Sequence, residues 1–447
     1  MTTTITWLLI YVGSCVMSFV NPLWGVFGYI FEYYLRPSLH WWGQPLPNLR
    51  WNLTISLVLL ASFLVRRQSL PACRPVRDPV TKWLLGLVLV MIIITPFAAS
   101  WERSYDKLVM FAKYVAIYIL IVQVVRTRRG FDTIVALHMA GAAWWGWEQY
   151  LDPKRTAGRL AHVGSSDTQG DNQAAAHLLT VLPFIFVYLL RSKDKRLRAL
   201  ALVAAPLVLN LFILCNSRGS TIGLGAGVLA AFFLARRGHR LRLVLATAAI
   251  GALFWNLADP EYKARQKTTA DYETESTALE RLESWQGGWR LIKENPLGTG
   301  GEGYEVLSPV YISEIVAAHG GELRAPHNTW VLVTSEWGIE GLFMYLGLIA
   351  STFLMLNSIR KRPLLGDDLY YRAFAIQVGL VATLTASTFS DRFYGESFYW
   401  MCALAVALYR MLDDVPAEAA VTVAQPSSLG GGFLAAAFPV RAPAAGR

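Results

Sequence analysis

Charge is scarce in this chain. Only 16% of its 447 residues are Asp, Glu, Lys or Arg, while 54% are hydrophobic and the mean hydropathy is +0.37. So little charge cannot cover the surface of two or three soluble domains, which length alone would suggest. Cysteine is scarce as well. Cys15, Cys73, Cys215 and Cys402 lie far apart with no CxxC pair, which supports neither a disulfide framework nor a structural zinc site. No paired-acid DxD occurs in the connector Ser100–Lys107, which offers only Glu102 and Asp106, so no catalytic metal and no cofactor is expected. The first residues lack a basic n-region and a small-residue cleavage site, and Met1–Val20 is read as a retained helix.

What is abundant is long apolar runs, roughly 14 to 29 residues each and separated by short connectors. The expected fold class is therefore an all-α polytopic membrane protein. Spans are expected at Met1–Val20, Asn52–Val65, Trp83–Ala99, Leu108–Val125, Phe131–Trp147, Asn172–Leu190, Leu197–Cys215, Gly219–Ala235, Leu241–Leu257, Asn328–Leu356, Tyr371–Phe389 and Phe393–Met411, about 12 in all. Asn21–Leu35 is apolar but short and contains Glu32, which favours a re-entrant or interfacial segment. The net charge of +10 falls mainly in alternate connectors. Arg66–Lys82, Arg126–Arg129, Arg191–Arg198, Arg236–Arg242 and Arg360–Arg372 hold 21 Lys and Arg against four acids, which places them in the cytoplasm by the positive-inside rule and argues against nucleic acid as a partner. The domain reading is a bundle over 1–257, an external loop over 258–327, C-terminal helices over 328–412, and a disordered cytoplasmic tail over 413–447.

The external loop is the one long polar interval. Leu279, Leu282, Trp285, Trp289 and Ile292 recur at spacings of three and four, predicting an amphipathic helix over Thr277–Glu294, capped by Thr277 and Glu280 and stopped before Pro296. Arg281 and Trp285 then share a face. A second helix is expected over Pro309–Ala318. The turn GTGGEG lacks a preceding strand and a Gly-Lys-Ser ending, so a nucleotide site is rejected. Most charges here, such as Lys263, Lys267 and Glu273, are read as solvated.

Arg218 sits between two apolar runs, and no acid occurs from Lys195 to Ala258. A guanidinium at that depth needs an anion from elsewhere in the fold or from a ligand, unless it snorkels to water. Lys113, about two turns into its span, is a second cation at similar depth, with Glu336 as a candidate structural partner. His327 follows Pro326 at the mouth of a span, where an imidazole can take a proton from a hydroxyl near neutral pH. Taken alone, such a histidine is more often a capping residue.

The ordered series Asn216-Ser-Arg-Gly219, Arg281-x-x-x-Trp285, Glu294-Asn-Pro-Leu-Gly-x-Gly300, His327-Asn328 and Glu336-x-Gly338-x-x-Gly341 resembles the bacterial O-antigen ligase and O-antigen polymerase superfamily. Arg159 and Asn172 fit that family's preceding external loop. The N-terminal NPLWGVFGYIFEYYLRP is similar to the branch of exosortase-associated O-glycosylation ligases. The resemblance implies a GT-C-like glycosyltransferase of the bacterial inner membrane, acting at the periplasmic face on a glycan carried by undecaprenyl pyrophosphate. Acceptors would be a lipid A-core sugar, a protein Ser or Thr, or, for a polymerase, another lipid-linked glycan. It further implies pyrophosphate contacts for Arg218 and Arg281 and an essential His327. Lys113, Arg159, Asn172, Trp285, Arg290, Asn328 and Glu336 are further substrate-binding candidates. Arginine forks can stabilise such a leaving group without a metal. A flippase or exporter is the alternative from another class, but the arginines and histidine gather at one face, which favours the enzyme.

Overall fold

The computed structural model describes residues 2–412 apart from 70–77, 154, 157–158, 161–162, 166, 169, 259, 268–275 and 363–365. The expected tail therefore lies outside the described residues. The chain begins with α1 (Thr2–Ser18), α2 (Leu23–Tyr34), α3 (Trp51–Arg66), α4 (Pro79–Ile94), α5 (Trp101–Val124) and α6 (Arg128–Leu151). A hairpin of two short strands, β1 (Arg155–Thr156) and β2 (Arg159–Leu160), leads to α7 (Asp171–Arg191), α8 (Lys195–Cys215), α9 (Arg218–Leu234) and α10 (Arg240–Leu257). The loop region carries α11 (Pro260–Lys267), α12 (Ser276–Glu294), α13 (Gly303–Tyr311) and α14 (Ser313–Ala318). It is followed by α15 (Thr329–Arg360), α16 (Gly366–Ala386) and α17 (Glu396–Arg410).

The fold is an all-α polytopic membrane fold. Six helical segments are long and apolar enough to cross a bilayer: Pro79–Phe97, Trp101–Val124, Asp171–Arg191, Lys195–Cys215, Thr329–Arg360 and Asp367–Ala386. Shorter apolar helices Thr2–Ser18, Trp51–Arg66 and Arg218–Leu234 accompany them. Large apolar side chains such as Phe97, Val203, Phe233 and Leu354 point outward, as lipid-facing residues do. The segment Asn21–Leu35 contains α2, whose 12 residues rise only about 18 Å, too short for a hydrocarbon core. Its Tyr29, Tyr33 and Tyr34 are buried against Trp145 and Trp400, and Glu32 accepts from Asn52 Nδ2 at 2.9 Å.

Two joints position the face that carries the loop region. At the first, Asn216 ends α8 in the left-handed conformation (φ 48°) and the Ser217 hydroxyl caps α9 by accepting from Ser220 N. Arg218 thus becomes the first residue of α9, and Gly219 lies so close to Phe389 that a Cβ there would sit 2.5 Å from the Phe389 Cβ. At the second, α15 is interrupted at Gly338 (φ 70°, ψ −176°). The glycine turn fills the break: Thr299 N and Gly300 N donate to the Ser335 and Glu336 carbonyls at 2.9 and 2.8 Å, and Ile339 N donates to Pro296 O at 3.1 Å. The GTGGEG run is therefore a clip on a broken helix. Ala99 N and the Ser104 hydroxyl fasten it to the start of α5.

The first loop helix matches its expected range to one residue, although the Thr277 side chain lies outside the described residues. The second differs. It begins earlier, at Gly303, and breaks at Ile312 into α13 and α14, so that Ile312, Ile315 and Val316 fold back onto Leu291 and Tyr304.

Candidate active site

His327 lies at the turn into α15. Its φ of 50° is left-handed, an unusual conformation for a residue with a side chain. Asp391, from the link between α16 and α17, holds it there. The carboxylate accepts from His327 N at 3.1 Å and Asn328 N at 2.9 Å, and Oδ2 lies 3.4 Å from His327 Nδ1. The link is itself fixed, since the Thr329 hydroxyl donates to Ser390 O at 2.9 Å and accepts from Arg392 N at 2.7 Å. From the other side Trp285 Nε1 donates to Pro326 O at 3.1 Å, tying α12 to the residue before the histidine.

His327, Gln173 and Ala325 stand between two cavities and line both. The first, about 280 Å³, takes in Arg281 and Arg324 with Asn172, Asp171 and Glu280. The second, about 400 Å³, takes in Asp167, Glu302, Glu305, Glu336 and Asp391 with the single cation Lys107. One chamber sets two guanidinium groups beside two carboxylates and the other is rich in carboxylates, with an imidazole at their boundary. The guanidinium forks of the first can hold an oxyanion, and the carboxylates of the second can accept from a neutral, hydroxyl-bearing group. Among the described residues no group of three or more His, Cys, Asp or Glu is disposed to hold a metal ion.

Of the residues singled out in the sequence, Arg281, Asn172, His327 and Glu336 line these chambers. Arg218 does not, but its neighbour Ser217 donates to Asn172 Oδ1 at 2.7 Å and so connects it to the rim. Trp285 holds the approach to His327 and lines neither chamber. Asn328 caps α15, its side chain accepting from Trp330 N and Val331 N at 2.9 and 3.2 Å. Arg290 is turned away, donating to Tyr311 O at 2.6 Å and bracing the α13–α14 junction. Arg159 falls in the β-hairpin, and its side chain lies outside the described residues. Lys113 is exposed on α5 and lines neither chamber. Six residues beyond Lys107, it is rotated by about 240° around the helix, so only one of the two can face the site.

Lys107, Arg324, Asp167 and Asp391 are the residues sequence reasoning missed. Lys107 Nζ pairs with Glu302 at 2.9 Å and sits 5.0 Å over the Tyr394 ring. Arg103 also reaches Glu302, at 3.0 Å. Glu336 is fully enclosed, accepting from Glu302 N at 2.9 Å and from the Tyr394 hydroxyl at 2.6 Å. Asp167 receives the Tyr33 hydroxyl at 2.7 Å and Glu396 N at 2.9 Å, while buried Arg392 donates to its carbonyl at 2.6 Å. Burial, reinforced by the neighbouring Glu302 carboxylate, pushes the Glu305 carboxyl above its ordinary range, and Lys107 offsets part of that.

Fold and site together define a multi-pass membrane protein with an arginine-containing chamber and a carboxylate-rich chamber joined at a histidine. Residues 203–346 match the family model described as O-antigen ligase, a segment that contains Arg218, Arg281, Arg324, His327 and Glu336 but not Lys107, Asp167 or Asp391. Through that segment the chain is similar to the O-antigen ligase family. It is 29% identical over 186 residues to an O-antigen ligase of Pseudomonas aeruginosa, covering 41% of each chain. It is 28% identical over 194 residues to a Rickettsia felis protein provisionally named a polysaccharide ligase, covering 41% of this chain and 46% of that one. The chain thus spans less than half the length of the curated relatives it matches.

Proposed function

We propose that this chain is a glycosyltransferase that moves a glycan en bloc from undecaprenyl pyrophosphate to an acceptor hydroxyl at the periplasmic face of the inner membrane. The observation that carries the reading is the position of His327, held by Asp391 at the boundary of the arginine chamber and the carboxylate chamber. The donor pyrophosphate lies with Arg281 and Arg324, and Arg218 acts from the rim. The acceptor enters the carboxylate chamber, where Glu305, Glu336 and Asp167 receive hydrogen bonds from its hydroxyls.

In the reaction His327 takes the proton of the acceptor hydroxyl as that oxygen attacks the anomeric carbon. The bond from that carbon to the pyrophosphate oxygen breaks, its electron pair leaving on the pyrophosphate, where arginine forks stabilise the charge. No protein nucleophile intervenes, so the product has inverted configuration, and the step uses no metal. The names of the relatives favour a ligase over a polymerase.

The test uses purified protein and lipid-linked donor. His327→Ala should bind donor as the unaltered protein does and lose turnover by roughly 10²–10⁴-fold. A variant that keeps most of its turnover removes the base, and one that fails to bind donor makes His327 a phosphate ligand instead. Glycan profiling of a deletion strain identifies the acceptor: polymer lost from lipopolysaccharide, from glycoproteins or from free polysaccharide names its class.

A further inference from the structure

A further space lies in the body of the bundle and reaches Thr221 in the first turn of α9. Between α10 and the facing helices runs an apolar cavity of about 440 Å³, lined by side chains such as Leu179, Pro183, Leu243, Phe254 and Val378. It shares Phe186, Leu243 and Phe374 with a second space of about 320 Å³, so the two form one groove. The second space ends among Arg191, Arg236 and Arg242. A third space shares Leu190, Arg191 and Tyr371 with it and adds Arg128 and Lys193, with Asp367 and Asp368.

Five cations thus converge on this mouth against two carboxylates. Asp367 is taken by Arg236 at 2.5 Å, and Asp368 lies 4.0 Å from Arg128. Arg191 packs over the Tyr371 ring at 4.8 Å and Arg236 over Tyr370 at 4.4 Å, which fixes both guanidinium groups at the groove's edge while they stay exposed. The positive-inside rule asks only for an excess of basic residues in a connector, and Arg196, Arg198 and Arg237 already supply it. It does not ask them to gather where an apolar groove opens.

Helix α7 sets the direction of the groove. Its first residues, Asp171 and Asn172, line the arginine chamber, and its last, Arg191, is at the basic mouth about 30 Å away. A donor whose pyrophosphate sits at Arg281 cannot place that group at Arg191. We infer that the groove binds an anionic phospholipid of the opposite leaflet, with its acyl chain between α10 and α7 and its phosphate among Arg191, Arg236 and Arg242. This lipid fills the gap that holds α10 to the bundle and is separate from the substrate.

The experiment is lipid identification by native mass spectrometry on the full chain purified in mild detergent, with phosphatidylglycerol added back as the probe. Phosphatidylglycerol should be retained by the unaltered protein and by Arg196→Ala/Arg198→Ala, which removes the same charge elsewhere. Its retention should fall roughly tenfold in Arg191→Ala/Arg242→Ala. Ala246→Trp, which fills the groove and leaves the charges in place, should lose it too and serves if the double variant does not fold. Equal retention in the two double variants overturns the inference. So does a bound zwitterionic phospholipid or polyprenyl lipid that is indifferent to Arg191 and Arg242.

Discussion

Asp391 Oδ2 accepts the backbone N–H of His327 at 3.1 Å and lies 3.4 Å from Nδ1 of the same ring. One carboxylate therefore sets both the left-handed backbone and the ring orientation of the proposed base. Asp391→Asn keeps an acceptor for one of the two backbone N–H groups, of His327 and Asn328, and presents no charge to Nδ1. It should lower kcat roughly tenfold or more with donor KM unchanged, a smaller loss than that of His327→Ala. Asp391→Glu should restore part of it. If KM and kcat fell together with the melting temperature, Asp391 would be a fold residue only.

Glu305 gives the acidic chamber a pH signature. Its folded-state pKa is raised by burial and by Glu302, so the protonated form is the one the fold prefers. Stability from this group is present below the ordinary glutamate pKa and is lost as pH rises through the raised value. Glu305→Gln removes that loss. The variant should melt higher than the unaltered protein at pH 8 and at the same temperature at pH 4. A constant offset at both pH values would show that ionisation of Glu305 does not matter to the fold.

The orientation of the chain is tested by cysteine labelling in intact spheroplasts. Glu322, whose side chain is 77% exposed, reports the loop face, and exposed Lys195 reports the connector between α7 and α8. A membrane-impermeant reagent should label Glu322→Cys and spare Lys195→Cys. The reverse pattern would turn the site to the cytoplasm and remove the periplasmic enzyme.

The sequence made the helices legible where their pattern is local. Apolar runs long enough to cross a bilayer, and the three-and-four spacing from Leu279 to Ile292, are statements about neighbours along one helix. Arg281 could be picked out by its place four residues before Trp285 on the loop helix, and His327 by its place at the mouth of a span, both local signals. Asp391 was not, since it reaches His327 across 64 residues from a two-helix link that carries no signal of its own. The Gly298–Gly301 turn was readable as a turn but not as the part that fills the break at Gly338, because that contact exists only once α15 has bent. Depth in the membrane is a different measure from facing the chambers. It ranked Lys113 with Arg218, whereas facing the site depends on rotation about α5 as well as on rise along it.

That rotation supplies the sharpest comparison, because Lys107 and Lys113 have the same chemistry on the same helix. Lys107 pairs with Glu302 at 2.9 Å and covers Tyr394, whose hydroxyl donates to Glu336 at 2.6 Å, so it is the cation that offsets the acidic chamber. Removing it leaves Arg103 as the remaining partner of Glu302 and adds net negative charge beside Glu305 and Glu336. Carboxylates left in excess draw protons or move apart, and either change disturbs the surface that is to receive the acceptor. Lys107→Met should therefore lower kcat/KM for the acceptor roughly tenfold while leaving donor binding intact, a loss of about 1.4 kcal/mol of transition-state stabilisation. Lys113→Met removes an exposed charge outside both chambers and should stay within about twofold of the unaltered protein, as a surface substitution does. Steady-state transfer assays on the two variants side by side decide it: a larger loss at Lys113 than at Lys107 would mean that the lipid-facing side of α5, and not the chamber, contacts the substrate.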